Sequence, residues 1–319
     1  PHSPWNKGDS SQYKPDKLEI PEYMVDTPLT RKDLSNYYAE ITYMDSLLGR
    51  TLDIINQANK TNNTISIFTS EQGYSFPFGK WTCYDLGLKT AFIVKWPEKI
   101  KPNTRNKATT QYVDIVPTLL DAVGEDPTKI NVGIMDSKGK GGFDGKSFYK
   151  ALMGETETHR EFTFGVHTTR GVINGSESYP IRSVRSDRYK YIQNLSHEKL
   201  FYNVVTAKDA GRPGYLLYES WLENAKNEEE LSWVKHYKKR PFEEFYDLKN
   251  DPYEKNNLAQ DPKYFDIKEN LKTQLKSWMS QQGDLGVHTE MKAVTRQHRK
   301  GKWLSYEEKI KSKGQKQIN

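Results

Sequence analysis

The chain reads as an α/β protein: part of a mostly parallel sheet flanked by helices, followed by a small antiparallel sheet with a packing helix. Two observations predict this. Residues 31–123 run through a long helical pattern, two apolar strands and a shorter helix, an order that gives a sheet with right-handed crossovers. Past residue 160 the texture changes to short strand-like runs separated by turn formers and helical stretches. We expect residues 1–150 to form the α/β domain, 151–285 a small α+β subdomain, and 286–319 a basic tail.

The elements follow in order. Pro1, Pro4, Pro15, Pro21 and Pro28 make residues 1–30 an extended surface segment. Over 31–57, Leu34, Tyr38, Ile41, Leu48, Leu52 and Ile55 recur on one helical face, with Thr30 placed as the N-cap. Asn62-Asn63 turns the chain into Thr64-Ile65-Ser66-Ile67-Phe68, apolar and β-branched, as expected of a strand covered on both faces of a parallel sheet. A second strand, Ala91 to Val94, ends at Trp96-Pro97, and a helix broken by proline runs from Ile115 to Val123, with Gly124 as its stop. Residues 136–145 are rich in Gly and Lys and read as a loop. Strands are expected at Phe162 to Val166, Ile181 to Val184, Tyr189 to Ile192 and Phe245 to Leu248. Tyr215 to Lys239 carries Leu, Trp and Tyr at helical spacing, and a closing helix over Asp266 to Met279 turns Ile267, Leu271, Leu275 and Trp278 inward.

The chemistry concentrates where the first strand ends. In Thr69-Ser70-Glu71-Gln72-Gly73, Glu71 offers a charged oxygen and Gln72 a neutral one, both of the kind calcium or magnesium prefers, while Gly73 lets the backbone turn. Lys80 follows within reach of a sulfate or phosphate oxygen, and the C-terminal edge of such a sheet is where ligands bind. A solvated turn and a surface lysine are the plainer readings of the same residues.

Composition bounds the rest. The chain has 319 residues, a formal charge of +6 and one cysteine, so it has room for two domains and no intramolecular disulfide. No apolar run is long enough to cross a bilayer, and no targeting segment is visible at Pro1. Much of the basic excess lies late, at Arg296, Arg299, Lys300, Lys302, Lys309, Lys311, Lys313 and Lys316, which reads as a solvated, partly helical or disordered tail rather than a nucleic-acid footprint.

Taken together, Pro1-His2-Ser3-Pro4-Trp5, Val25-Asp26-Thr27-Pro28, Phe68 to Gly73, Gly79-Lys80-Trp81-Thr82, Phe92 to Pro97, Val113 to Leu120 and Phe245 to Glu254 resemble, in order and spacing, the formylglycine-dependent type I sulfatases of the alkaline phosphatase-like superfamily. The texture is similar to that of heparan N-sulfatase-like bacterial members. The likeness runs from Pro1 to about Asp284 and corresponds to the later part of a complete sulfatase. It implies an alkaline phosphatase-like sheet and hydrolysis of sulfate esters or N-sulfates, with calcium and formylglycine as the reactive equipment. It also implies a sulfated carbohydrate as partner and a periplasmic or secreted full-length protein. The formylglycine and a pair of calcium-binding aspartates are expected in a missing N-terminal portion, without which this chain is expected to be inactive. Cys83, in Trp81-Thr82-Cys83-Tyr84-Asp85, has no downstream Pro and Arg and reads as a small buried residue.

By the same resemblance Glu71 and Gln72 stand where most members place Asp followed by Asn or His in the calcium shell. Lys80 stands for the sulfate-binding lysine. His2 stands for the histidine that hydrogen-bonds the sulfate and helps protonate the leaving atom. Val166-His167-Thr168-Thr169-Arg170-Gly171 is like a loop near the cleft, so His167 and Arg170 are candidate contacts to an acidic sugar, with a strand-edge His and a salt-bridged Arg as the structural alternative. Two other functions stay open at this point: a non-catalytic anion-binding module of the same fold, and a phosphatase or phosphodiesterase, which needs more His ligands than stand beside Glu71.

Overall fold

The computed structural model describes residues 2–133, 135, 139, 141–208, 213–296 and 304–316. The first helix, α1 (Pro28–Gln57), is capped by Thr27 and not by Thr30: the Thr27 hydroxyl accepts the Thr30 N–H at 3.0 Å, and Pro28 sits at the first helical position, where no N–H is needed. Thr30 is buried one turn in, donating to the Val25 carbonyl and accepting the Trp221 indole N–H at 2.8 Å. The early turns of α1 bury Leu34, Ser35, Ala39 and Glu40, while the expected stripe of Leu48, Leu52 and Ile55 is half-buried.

β1 (Ser66–Thr69) pairs with β2 (Phe92–Lys95) in antiparallel register, Ser66 opposite Lys95 and Thr69 opposite Phe92. This corrects the parallel pairing expected for these strands, and the connection explains it. Residues 70–91 return through turns and one short helix, α2 (Asp85–Leu88), instead of the long crossover that a parallel neighbour needs. Nor is β1 covered on both faces, its residues being half-buried or exposed.

α3 (Ile115–Ala122) ends at Gly124, whose φ is 87°. Pro117 lies in its first turn, where the missing N–H costs nothing, so the helix is not broken there. Ahead of α3, buried Asp114 gathers the Arg160 guanidinium and the N–H groups of Gln111 and Lys146, which ties the helix start to the chain after α4 (Tyr149–Leu152). Part of the expected 136–145 loop lies outside the described residues, and Met135 bridges to Gly141.

The second sheet runs β3 (Thr163–His167), β4 (Ile181–Arg185), β5 (Tyr189–Asn194) and β6 (Glu243–Asp247), side by side and antiparallel throughout. The register lines up Phe164, Val184, Tyr191 and Phe245 across one face, and the two-residue period sends Ile192 and Tyr246 to the other. α5 (Pro213–Asn224) and α6 (Glu228–His236) supply Trp221, Trp233 and Val234 to that second core, together with Leu34 of α1 and Phe76 and Phe78 of the 70–91 loop. α7 (Phe265–Gln281) covers the first face with Leu271 and Leu275, each worth about 1.5–3 kcal/mol when fully buried. At Gly165 on β3 a Cβ would stand 2.4 Å from the end of the Leu88 side chain, which would have to move to admit it.

The C-terminal segment is partly helical, as expected, but is packed against the body of the chain instead of being wholly solvated. α8 (Val287–Met291) buries Glu290, and at the start of α9 (Tyr306–Lys316) the Tyr306 N–H meets the Gly175 carbonyl while Lys309 donates to Asn174. The basic residues at 297–303 and 317–319 lie outside the described residues.

Candidate functional site

The 70–91 loop is held rigidly at both ends. Ser70 exchanges hydrogen bonds with Ala91, its N–H donating at 3.2 Å and its hydroxyl accepting at 3.0 Å. Gly73 packs so closely on the next pass of the loop that a Cβ would fall 1.8 Å from the Leu86 carbonyl oxygen; close approach, more than a sharp turn, requires glycine there. Phe76 and Phe78 plug the loop into the core, with Phe78 stacked on Trp233 at 3.9 Å. Phe78 and Trp81 both adopt positive φ, 64° and 72°, a strain of about 1–3 kcal/mol each that the plugged aromatics sustain. Lys80 is thereby fixed between two strained residues, its N–H on the Tyr74 carbonyl at 2.8 Å.

The Lys80 side chain is only 14% exposed, yet among the described residues its one ion contact is with Glu71 at 3.8 Å, a carboxylate that is itself 80% exposed. Its ammonium lies 5.5 Å from the Trp81 ring centroid. Trp81 also lines a cleft of about 440 Å³ whose wall includes His2, so one residue joins Lys80 to the histidine from the other end of the motif series. His2 is exposed and its Nδ1 lies 2.5 Å from the Ser3 carbonyl.

Glu71 and half-buried Gln72 present two hard oxygen donors at the strand end. Calcium takes about six to eight oxygens, and among the described residues no three His, Cys, Asp or Glu side chains gather as a metal site. The donor set fits part of a calcium shell and not a whole one.

His167 and Arg170 are placed differently. The His167 ring packs edge-on to Phe201 at 5.8 Å, and its Nε2 is buried without a hydrogen-bond partner. Burial, helped by the nearby charges of Arg240 and Arg182, pushes its pKa down to about 3, so the ring is neutral. Arg170 stands 3.5 Å from Glu177. His167 is set by its pairing with Ile181 across β3 and β4, and the Arg170 backbone by Glu290, 2% exposed on α8, whose Oε1 accepts the N–H groups of Thr169, Arg170 and Tyr179 and the Thr169 hydroxyl at 3.0–3.1 Å. Sequence patterns gave no signal for Glu290, which lies about 120 positions from the loop it holds.

The motif in which sulfatases form formylglycine, Cys/Ser-x-Pro/Ala-x-Arg, was expected outside this chain, yet Ser178-Tyr179-Pro180-Ile181-Arg182 satisfies it letter for letter. Its surroundings are structural: Ser178 is 2% exposed, and the Arg182 guanidinium is paired with Asp284 at 2.5 Å and bonded to the His167 carbonyl. Cys83 is buried as expected, which raises its thiol pKa to about 11.

A buried ion cluster fastens the loop to the second sheet. Lys190, fully buried on β5, reaches Asp85 at 2.5 Å and Glu254 at 3.0 Å, and Arg185 meets the other Asp85 oxygen at 3.3 Å. Burial works to raise the Asp85 pKa, but Lys190 and Arg185 outweigh it and the net shift is downward. Glu254, with desolvation dominant and Asp85 beside it, is pushed up to about 7 despite Lys190.

Residues 1–125 match the family model described as Sulfatase. The chain is 34% identical over 254 residues to an ulvan-active sulfatase of Formosa agariphila, covering 80% of this chain and 45% of that protein. To human N-sulphoglucosamine sulphohydrolase it is 30% identical over 279 residues, covering 83% and 51%. Among solved structures it is similar to BT33494S-sulf of the Bacteroides thetaiotaomicron glycosaminoglycan locus, with a TM-score of 0.61, 19% identity and coverage of 92% and 54%. It is also similar to BT4656 in complex with D-glucosamine-2-N,6-O-disulfate, with a TM-score of 0.55, 19% identity and coverage of 87% and 46%. At these identities the structures speak for a shared fold alone. The chain spans about half the length of the curated relatives it matches.

Proposed function

We propose that this chain, which carries a sulfatase family domain, supplies one side of a site that hydrolyses sulfate ester or N-sulfate groups on sulfated carbohydrate. The observation that carries the reading is Lys80: a largely buried ammonium, locked by strained backbone, whose only ion contact among the described residues is a distant, exposed carboxylate. Such a cation is available to an anion, and in a partly desolvated cleft a charge-assisted contact to a sulfate oxygen is stronger than in water. His2, which lines the same cleft as Trp81, is the donor to the sulfate or leaving atom in this reading. Glu71 and Gln72 would hold part of a calcium shell; calcium, when bound, would polarise the sulfate. A formylglycine nucleophile would come from residues beyond those of this chain. The relatives' names support a saccharide substrate, and a periplasmic or secreted setting belongs to the same proposal. No described helix is long and apolar enough to cross a membrane.

The test is sulfate release. The full-length protein, incubated with ulvan oligosaccharides and with N-sulfated glucosamine saccharides, should liberate inorganic sulfate, read by ion chromatography. Release of phosphate from aryl phosphate diesters with no sulfate release from either saccharide would replace this reading with the phosphodiesterase one.

A further inference from the structure

The cleft beside His2 has lining residues that the sulfate chemistry does not use. Its apolar wall comes from three places far apart in the chain: Trp81, Ile173 and the neighbouring Leu216 and Leu217 of α5. Ile173 and Leu216 are 52% and 61% exposed, large apolar side chains left facing solvent at the cleft. Against this wall stand Asp33 and Asn36, one helical turn apart on α1, with Lys32 beside them. Asp33 is half-buried and has no ion pair or hydrogen bond among the described contacts of its side chain. Burial pushes its carboxyl up to about 6 against the opposing pull of Lys32. A desolvated carboxylate without a partner carries a cost that a hydroxyl-bearing ligand would relieve.

We propose that this part of the cleft is a saccharide subsite for a pyranose ring bearing free hydroxyls, its apolar face on Trp81 and Leu216 and its hydroxyls bonded to Asp33 and Asn36. The volume, about 440 Å³, lies in the range of about 300–1,000 Å³ usual for ligand pockets, and apolar walls with few polar groups are how such pockets orient a ligand. The carboxylate sets the selectivity. It accepts hydrogen bonds from hydroxyls and repels a sulfate group, so the ring held here is unsulfated where it faces Asp33. Trp81 lies under both this ring and the Lys80 ammonium, so a sulfated neighbour in the same oligosaccharide meets Lys80 and His2. The substrate class rests on the sulfatase reading; the subsite itself does not require turnover.

The experiment is binding of sulfate-free ligand to the chain, followed by quenching of the tryptophans that line the cleft, Trp5 and Trp81. The probes are desulfated ulvan oligosaccharides and sulfate-free glucosamine–uronate oligosaccharides. At least one should bind saturably, inorganic sulfate should not displace it, and Asp33→Asn and Asn36→Ala, each folded by circular dichroism, should each weaken it by about tenfold, the scale of one lost hydrogen bond to a charged or oriented group. No saturable binding to either probe, or equal affinity in whichever of the two variants folds, overturns the subsite. If the full-length protein releases sulfate and that result is obtained, the subsite alone fails. If the sulfate-free probe binds as described and the full-length protein releases no sulfate, the hydrolase reading fails and the saccharide site stands.

Discussion

Replacing Lys190 by methionine should be among the most damaging single changes in the chain. The lysine has no exposed side-chain surface and sits between two carboxylates, at 2.5 Å from Asp85 and 3.0 Å from Glu254. Removing one member of a buried pair costs about 3–5 kcal/mol, because the partner charge is left desolvated. Two features hold the loss to the lower end of that range. Asp85 keeps Arg185 at 3.3 Å, and Glu254, already raised to about 7, can take up a proton. We therefore expect Lys190→Met to lose about 3 kcal/mol at pH 7, a large share of the roughly 5–15 kcal/mol that separates folded from unfolded states. Urea unfolding followed by tryptophan fluorescence measures it. Adding Glu254→Gln should restore part of the loss, since the double variant buries one charge fewer. A single variant within about 1 kcal/mol of the parent would mean that the cluster does not hold the Lys80 loop to the second sheet.

Three other outcomes follow from the same geometry. Glu290→Ala strands the N–H groups of Thr169, Arg170 and Tyr179 in a buried site and should cost at least about 2 kcal/mol, with faster proteolysis between residues 169 and 177; unchanged cleavage there would remove Glu290 as the clamp. Glu254 binds its proton more tightly in the folded state than in the unfolded chain, so its contribution is fully present below about pH 4.5 and is lost as pH rises through about 7. Urea midpoints at pH 5.5 and pH 8 should differ less in Glu254→Gln than in the parent, and an equal difference would refute the assignment. His167 is depressed to about 3 by burial, so its contribution is present above about pH 6.5 and lost as pH falls towards 3; a ring that NMR shows protonated at pH 5 would contradict the packing against Phe201.

What was legible in the sequence divides along the distance between interacting residues. Glu71 and Lys80 are nine positions apart, and the strand that delivers them is readable from the apolar, β-branched run Thr64 to Phe68, so their meeting was accessible to pattern reasoning. The four strands of the second sheet and α7 were readable for the same reason, each carrying its own periodicity. Strand direction was not, because β1 and β2 are set antiparallel by the path of residues 70–91 and not by their own composition. The Thr27 cap was misplaced by one turn because Thr27 and Thr30 have the same capping chemistry and only Pro28 separates them. Lys190, Glu254 and Glu290 were silent, since a buried charge looks like a surface charge until its partners, 105 and 121 positions away for Lys190 and Glu290, are known. The cleft is the extreme case: His2, Asp33, Trp81, Ile173 and Leu217 share no local pattern at all.

The most direct test of the account is Lys80→Ala in the full-length protein, measured as kcat/KM for sulfate release from a sulfated oligosaccharide. Lost contact between the ammonium and the sulfate in the transition state should lower kcat/KM by roughly two to three orders of magnitude, about 3–4 kcal/mol, as when one oxyanion donor is removed. The urea midpoint should barely move, because among the described residues the side chain's only ion contact is Glu71 at 3.8 Å. Wild-type kcat/KM in a folded Lys80→Ala protein would contradict the anion role of Lys80 and, with it, the reading of the whole Glu71 to Trp81 loop as the sulfate side of the site.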